Sequence, residues 1–243
     1  MFKRLFFIGI VLSGFLATSA QNPQASALVF QQGKDFMVKE KYQDAMASFF
    51  KAVALDRQND SAWVQMGIIN AKFQSFDTAM KFFYNALAIN PNQVYALWNQ
   101  ASMYRNIKKD FDSALVYYQR DLALEPNNKE ILAYAAWCFN AKKEYDSAIA
   151  YCDRSLQIDN NYKTAYNEMA HSYHFSKQFE KGIAHFKRYA ALTPSELPVY
   201  FAGLCYIEMN DKAGAMTMYD ELTKRSQRVA DVLKKKIDTM KTD

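Results

Sequence analysis

The sequence predicts an all-α solenoid, in which similar pairs of helices are stacked along one axis. A pattern of small and aromatic residues recurs about every 34 residues, which is typical of stacked repeats rather than of one globular core. The 243 residues also include only seven Gly and five Pro, too few for turn-dense sandwiches or barrels. Because 50% of the residues are apolar and 15% are aromatic, the chain can bury enough apolar surface to fold.

Residues 1–20 are predicted to be a signal peptide. Lys3 and Arg4 precede an apolar run at 5–17, and small residues follow up to Ala20. That run is well short of the roughly 20 residues that a membrane-spanning helix needs, so cleavage after Ala20 is favoured over a retained anchor. We expect an exported protein without a stable membrane anchor, periplasmic if the source is a diderm bacterium. Cleavage lowers the formal net charge from +5 to +3, too mild to indicate nucleic-acid binding.

The repeats align on a small residue that is followed four positions later by a larger one. Five strong copies and a weaker sixth are Ala45/Phe49, Ala79/Phe83, Ala114/Tyr118, Ala148/Cys152, Gly182/Phe186 and Ala215/Tyr219. Within a copy, apolar residues recur every three or four positions, which predicts two amphipathic helices in antiparallel contact. Gly67 and Ala79 are expected to let the two backbones of their pair approach closely, because a larger side chain would overpack the crossing.

Helix ends and the two irregular regions can also be predicted. Pro91, Pro126 and Pro194 share one phase of their copies and predict the end of a second helix, because proline lacks an N–H and clashes with the preceding turn. One extra residue in the third copy is placed in its turn, at 106–110. Residues 228–243 are predicted to form a capping helix, with Val232 and Leu233 on its covered side.

This pattern resembles the tetratricopeptide repeat family, in which a bulky residue is followed by Leu-Gly, Tyr, Ala, an aromatic residue, Ala and Pro. The second copy carries most of that pattern and departs from it mainly at Asn70. Its matching residues are Trp63, Met66, Gly67, Ala79, Phe83, Ala86 and Pro91. The resemblance implies six repeats over residues 26–229, a right-handed superhelical solenoid of antiparallel helix pairs, and protein binding rather than catalysis.

In this family the first helix of each repeat lines a concave groove, so the resemblance also implies a set of partner-binding residues. They are Phe30, Lys34, Ile68, Lys72, Tyr95, Trp98, Arg105, Trp137, Asn140, Asn167, His171, His174 and Tyr200. The same phase adds Val64, Ser102 and Ala133. Such a surface is aromatic and lightly basic, as partner sites often are. The alternative is that these aromatic residues pack between adjacent repeats.

Other chemistry has little support in the sequence. His171 and His174, three residues apart, could present two imidazoles to a metal, but no carboxylate or Cys at matching spacing completes a site, so we expect no metal and no cofactor. Cys138 and Cys152 fall on the two helices of one repeat, where a disulfide is compatible with the pattern but buried thiols are favoured.

The sequence contains neither a glycine-rich phosphate-binding loop nor a nucleophile elbow, so an enzyme is not expected. The prediction is a non-enzymatic scaffold or adaptor of the cell envelope that binds a partner peptide or helix in its concave groove. The alternative is a structural scaffold that self-associates into homo-oligomers.

Overall fold

The computed structural model describes residues 21–240, which form thirteen α-helices and contain no strand in that range. Six antiparallel pairs account for twelve of the helices. The first helices of the pairs are α1 (Pro23–Val38), α3 (Asp60–Lys72), α5 (Val94–Met103), α7 (Lys129–Ala141), α9 (Lys163–Phe175) and α11 (Leu197–Glu208). The second helices are α2 (Tyr42–Leu55), α4 (Phe76–Ile89), α6 (Phe111–Leu124), α8 (Tyr145–Ile158), α10 (Phe179–Ala191) and α12 (Lys212–Thr223). The last helix is α13 (Gln227–Asp238).

Two of the sequence predictions fall partly or wholly outside this range. The predicted signal peptide, residues 1–20, lies outside the described residues, as do the last three residues assigned to the capping helix. No helix within 21–240 combines the length and the apolar character needed to span a bilayer.

Contacts between helices arrange the stack in two layers. Each first helix packs against the second helix of its own repeat and, from α3 onwards, against that of the preceding repeat. In addition α3 contacts α5 and α7 contacts α9, whereas no contact of similar extent joins neighbouring second helices in the described part of the chain. The contacts of these two pairs place the first helices on the inner side of the solenoid. The predicted all-α fold is confirmed, because residues 21–240 contain helices and no strand.

The turn between the two helices of each repeat passes through one left-handed residue. Six residues have φ between 55° and 64°, at Glu40, Gln74, Lys109, Lys143, Lys177 and Asn210. In the fourth repeat the N–H of Lys143 donates to the carbonyl of Asn140, and the N–H of Glu144 donates to that of Phe139. This pattern terminates the first helix as a Schellman motif does. The left-handed residues keep the period of the sequence repeat.

Close packing inside a repeat depends on a glycine facing an aromatic ring. A Cβ at Gly67 would lie 2.4 Å from Cε1 of Phe83, and one at Gly33 would lie 2.5 Å from Cε1 of Phe49. Both phenylalanines are fully buried. The ring of Phe83 occupies the space that the missing side chain of Gly67 leaves, so this glycine accommodates a side chain of the partner helix rather than its backbone.

The predicted helix ends are confirmed, because α4, α6 and α10 each end two or three residues before Pro91, Pro126 and Pro194. In the third repeat, α5 continues as a π-helical turn over Tyr104–Lys108. A π-helical turn holds one residue more than an α-helical turn, so the extra residue is accommodated here, partly within the predicted segment 106–110.

Helix α13 covers the end of the stack through Ala230, Leu233 and Ile237, which are all buried. Leu233 fills the space above Gly203, where a Cβ would lie 2.6 Å from its Cδ2 atom. The prediction that Val232 lies on the covered side is wrong, since 46% of it is exposed. The buried residues follow helical spacing from Ala230, and Val232 points away from that stripe.

Candidate partner-binding groove

The predicted partner-binding residues separate into two groups by exposure. Lys34, Lys72, Tyr95 and Trp98 are exposed, with 69% of Tyr95 and 37% of Trp98 accessible, and all four lie in the first three repeats. The half-buried residues are Phe30, Ile68, Arg105, Trp137, Asn140, Asn167, His171, His174 and Tyr200. The most accessible part of the predicted groove is therefore its amino-terminal half.

Two exposed lysines in this half lie over aromatic rings. Nζ of Lys34 is 6.0 Å from the ring centroid of Phe30, and Nζ of Lys72 is 5.1 Å from that of Tyr42. A cation near a ring face is attracted by the negative charge of the π system. The hydrogen bond from Lys72 to Tyr42 also raises the pKa of the lysine. The side chain of Lys72 is therefore positively charged at neutral pH.

Arg105 lies in the π-helical turn, where its guanidinium is enclosed by rings of two repeats. Its Cζ is 4.2 Å from the ring centroid of Tyr134, 5.2 Å from that of Trp137 and 6.0 Å from that of Tyr118. Nε donates to Oδ1 of Asn106 at 3.1 Å. The rings fix the position of the cation and shield it from water, which strengthens its interaction with an anion.

Asn140 joins the fourth and fifth repeats through a polar network. Its Nδ2 donates to the backbone carbonyl of Glu168 at 2.9 Å and to Oε2 of the same residue at 3.2 Å, while its Oδ1 accepts from Ser172 at 2.7 Å. Asn167 donates to the other oxygen, Oε1, of Glu168. Burial raises the pKa of Glu168, and the two amide donors oppose that rise. Asn140 is therefore engaged in packing between repeats.

The two predicted groove histidines are also part of an interface between repeats. His171 lies among the rings of Phe175, Phe186 and Phe201, with centroids 4.7 to 5.9 Å away. Burial lowers the pKa of His171 to about 4, so the ring is neutral at physiological pH. Nδ1 of His174 lies 3.2 Å from Sγ of Cys205, on the first helix of the next repeat.

The three thiols are free and buried, so the structure contains no bridge between Cys138 and Cys152. Burial raises the pKa of Cys138 and that of Cys205 to about 12, which keeps both thiols protonated. Within residues 21–240, no group of three or more His, Cys, Asp or Glu side chains is arranged to hold a metal ion. These thiols act as small core side chains.

Two segments of the chain match models of known repeats. Residues 107–170 and residues 202–226 each match a tetratricopeptide repeat model. The first segment runs from the turn of the third repeat to the middle of α9, and the second lies in the sixth repeat. Both therefore follow the helix pairs of the structure. The chain therefore contains tetratricopeptide repeats.

Solved structures share this tetratricopeptide fold over most of the chain. PilW, a widely conserved type IV pilus biogenesis factor, superposes with a TM-score of 0.71 at 20% identity, over 87% of this chain and 100% of PilW. A tetratricopeptide repeat protein from Parabacteroides merdae gives 0.70 at 18% identity, over 90% of this chain and 94% of the other. YrrB, a tetratricopeptide-repeat protein with an unusual peptide-binding site, gives 0.66 at 15% identity, over 77% and 97%. No curated protein matches the sequence.

Helical phase alone did not predict correctly which residues of the first helices are exposed. Val64, Ser102 and Ala133 share the predicted phase but are buried, so they do not line the groove. Sequence reasoning also missed Tyr134, whose ring is the nearest of the three to the guanidinium of Arg105. The spacing of Tyr134 and Trp137, three residues apart on α7, is the signal that could have predicted it.

Proposed function

We propose that the protein is a non-enzymatic scaffold that binds a peptide segment or helix of another protein on its inner surface. One observation carries this proposal: Tyr95 and Trp98 are exposed on inner helix α5, and Lys72 is an exposed cation at the carboxyl-terminal end of the preceding inner helix, α3. Large aromatic side chains bury much area while losing little conformational freedom, which is why they are frequent in binding sites. A rigid layer of helices holds these residues in place before a partner arrives.

The proposed location is the cell envelope, in the periplasm if the source is a diderm bacterium. The predicted signal peptide at 1–20 supports export. The likeness to PilW, a type IV pilus biogenesis factor, also supports an envelope role, and the likeness to YrrB supports a peptide as the guest. Mass spectrometry of the amino-terminal peptide of the protein from an envelope fraction tests this location. Gln21 is expected as the first residue, and a peptide that begins at Met1 would contradict cleavage after Ala20.

Site-specific photo-crosslinking in cells of the source organism tests the binding surface. A photoreactive phenylalanine analogue is placed at Tyr95 on inner helix α5 or, as the matched control, at Tyr84 on second helix α4, where 64% of the side chain is exposed. The proposal expects a crosslinked partner protein from position 95 and not from position 84. The same adducts from both positions, or adducts from position 84 alone, would contradict an inner binding surface.

The exposed apolar residues of the second helices favour one alternative, a scaffold that associates with itself. Phe50, Tyr84 and Val116 are all exposed on α2, α4 and α6. Apolar groups in this arrangement occur at interfaces between copies of a protein as well as at other partner sites. Light scattering of the protein lacking residues 1–20 separates the two readings, because a monomer at all concentrations excludes self-assembly.

A further inference from the structure

The inner surface of the first three repeats carries three cations that have no carboxylate partner within residues 21–240. Lys34, Lys72 and Arg105 form none of the ion pairs found in this range. Each of them lies within 6.0 Å of at least one aromatic ring centroid. No carboxylate in this range is therefore within ion-pair distance of the three cations, although Glu40 interacts with Lys72 and Glu168 with Arg105 at longer range.

The inner helices that carry these cations contain two acidic side chains, and one of them, Asp35 on α1, accepts a hydrogen bond from Gln31 at 3.1 Å. Helices α3 and α5 and the π-helical turn together contain one, Asp60, at the first residue of α3. Its Oδ2 accepts from Asn90 at 2.7 Å and from Gln93 at 3.2 Å, so it is bound to the turn between repeats. Among the later inner helices, α7 contains Lys129 and Glu130, α9 contains Lys163 and Glu168, and α11 contains Glu208 without a basic residue.

The predicted groove residues of the first three repeats therefore include three cations and no carboxylate, whereas those of the last three repeats include no Lys, Arg, Asp or Glu. Fields of one sign on a surface attract the opposite sign and repel the same sign, which selects both the partner and its direction of binding. The positive half is also the half in which Tyr95 and Trp98 are exposed. A partner segment bound over the first three repeats can therefore contact both cations and exposed aromatic rings.

We propose that the guest segment over the first three repeats combines side-chain carboxylates with aromatic or aliphatic residues. The carboxylates pair with Lys34, Lys72 and Arg105, and the apolar residues contact Tyr95 and Trp98. This inference rests on the proposed function and adds the chemistry of the partner. The carboxylates belong to side chains inside the segment, so a free carboxyl terminus is not required.

A display selection with random 15-residue peptides tests the proposal against the protein lacking residues 1–20. Enriched peptides are synthesised with amidated carboxyl termini, and their dissociation constants are measured by fluorescence anisotropy. We expect sequences with more Asp and Glu than Lys and Arg, together with at least one large apolar residue. We also expect amidation to leave binding unchanged, because the pairing carboxylates are on side chains.

Charge reversal then locates the binding site. The double variant Lys34→Glu/Lys72→Glu should weaken binding by about tenfold at low salt, and less at high salt where exposed charges are screened. Lys51→Glu/Lys81→Glu, at exposed positions of second helices α2 and α4, makes the same change in net charge and is expected to have little effect. Unchanged circular dichroism of both variants confirms that they are folded.

Two kinds of failure can be told apart. The acidic guest is overturned if the enriched peptides are neutral or basic and bind Tyr95→Ala/Trp98→Ala more weakly than the unsubstituted protein. It is also overturned if the enriched peptides need a free carboxyl terminus. In both cases the binding function of the groove stands. A selection that enriches no peptide, or only peptides indifferent to both sets of inner variants, overturns this inference and the proposed function together.

Discussion

Asp121→Ala is expected to stabilise the protein, and to do so more at neutral than at acidic pH. Asp121 lies on α6 and is fully buried, and neither of its carboxylate oxygens has a hydrogen-bond partner in the described part of the chain. The equivalent positions of the first two repeats hold Ala52 and Ala86, which are also fully buried. Alanine therefore fits this site, whereas a carboxylate is placed there without compensation.

The size of the effect follows from the pKa of the carboxyl group. Burial, with a smaller contribution from Glu125, raises the pKa of Asp121 to about 6. Its unfolded value is about 3.9, and one unit corresponds to about 1.4 kcal/mol. The folded state binds the proton more tightly, so stability falls as pH rises between these two values. The ionised group then costs about 3 kcal/mol at pH 7.5 and about 1 kcal/mol at pH 4.5.

Urea unfolding followed by circular dichroism at pH 4.5 and pH 7.5 measures this difference. Asp121→Ala should raise the free energy of unfolding by about 3 kcal/mol at pH 7.5, and by about 2 kcal/mol less at pH 4.5. The control Asp220→Ala, at an exposed position of α12, should change it by less than about 0.5 kcal/mol at either pH. An equal gain at both pH values, or a loss at pH 7.5, would refute the claim that Asp121 is buried without a partner.

Two further predictions concern the glycine contacts and the turns, and both are read from urea unfolding. Gly67→Ala should lower the free energy of unfolding by about 1 kcal/mol, because its Cβ would lie 2.4 Å from Phe83. In the control Gly182→Ala the nearest contacts of the new Cβ are at 3.4 Å, so the better helix propensity of alanine should raise the free energy of unfolding slightly. Lys143→Gly should raise it by about 0.5 to 1 kcal/mol because φ is 64° there, while Lys51→Gly inside α2 should lower it by about 1 kcal/mol. A loss for Gly182→Ala as large as that for Gly67→Ala, or no gain for Lys143→Gly, would contradict the packing and turn accounts respectively.

Most of the fold could be predicted from the sequence because each repeat encodes itself locally. Helical spacing, small residues and prolines recur in phase, so errors in one copy are corrected by the others. The left-handed turns could not be predicted in the same way, since they are occupied by residues as different as Glu40, Lys143 and Asn210. There the backbone geometry is imposed by the packing of the two helices rather than by the residue type.

The sequence allows only part of the candidate site to be predicted. Helical phase identifies the inner face of each first helix, yet it does not say which inner residues the next repeat covers. Asn140 and His174 were predicted to line the groove, and both are bonded to residues of the following repeat. Arg105 was also predicted to line the groove, but its enclosure by Tyr134 and Trp137 could not be predicted, because it depends on contact between neighbouring repeats.

The affinity of paired variants for the crosslinked partner tests the central claim most directly. Tyr95→Ala/Trp98→Ala removes two exposed aromatic side chains from the inner face, and Phe50→Ala/Tyr84→Ala removes two from the second helices. Both proteins are first shown by circular dichroism to keep their helical content. The account predicts that the inner pair raises the dissociation constant at least about tenfold, as expected for aromatic residues central to an interface, and that the outer pair leaves it unchanged. Loss of affinity from the outer pair with none from the inner pair would contradict it.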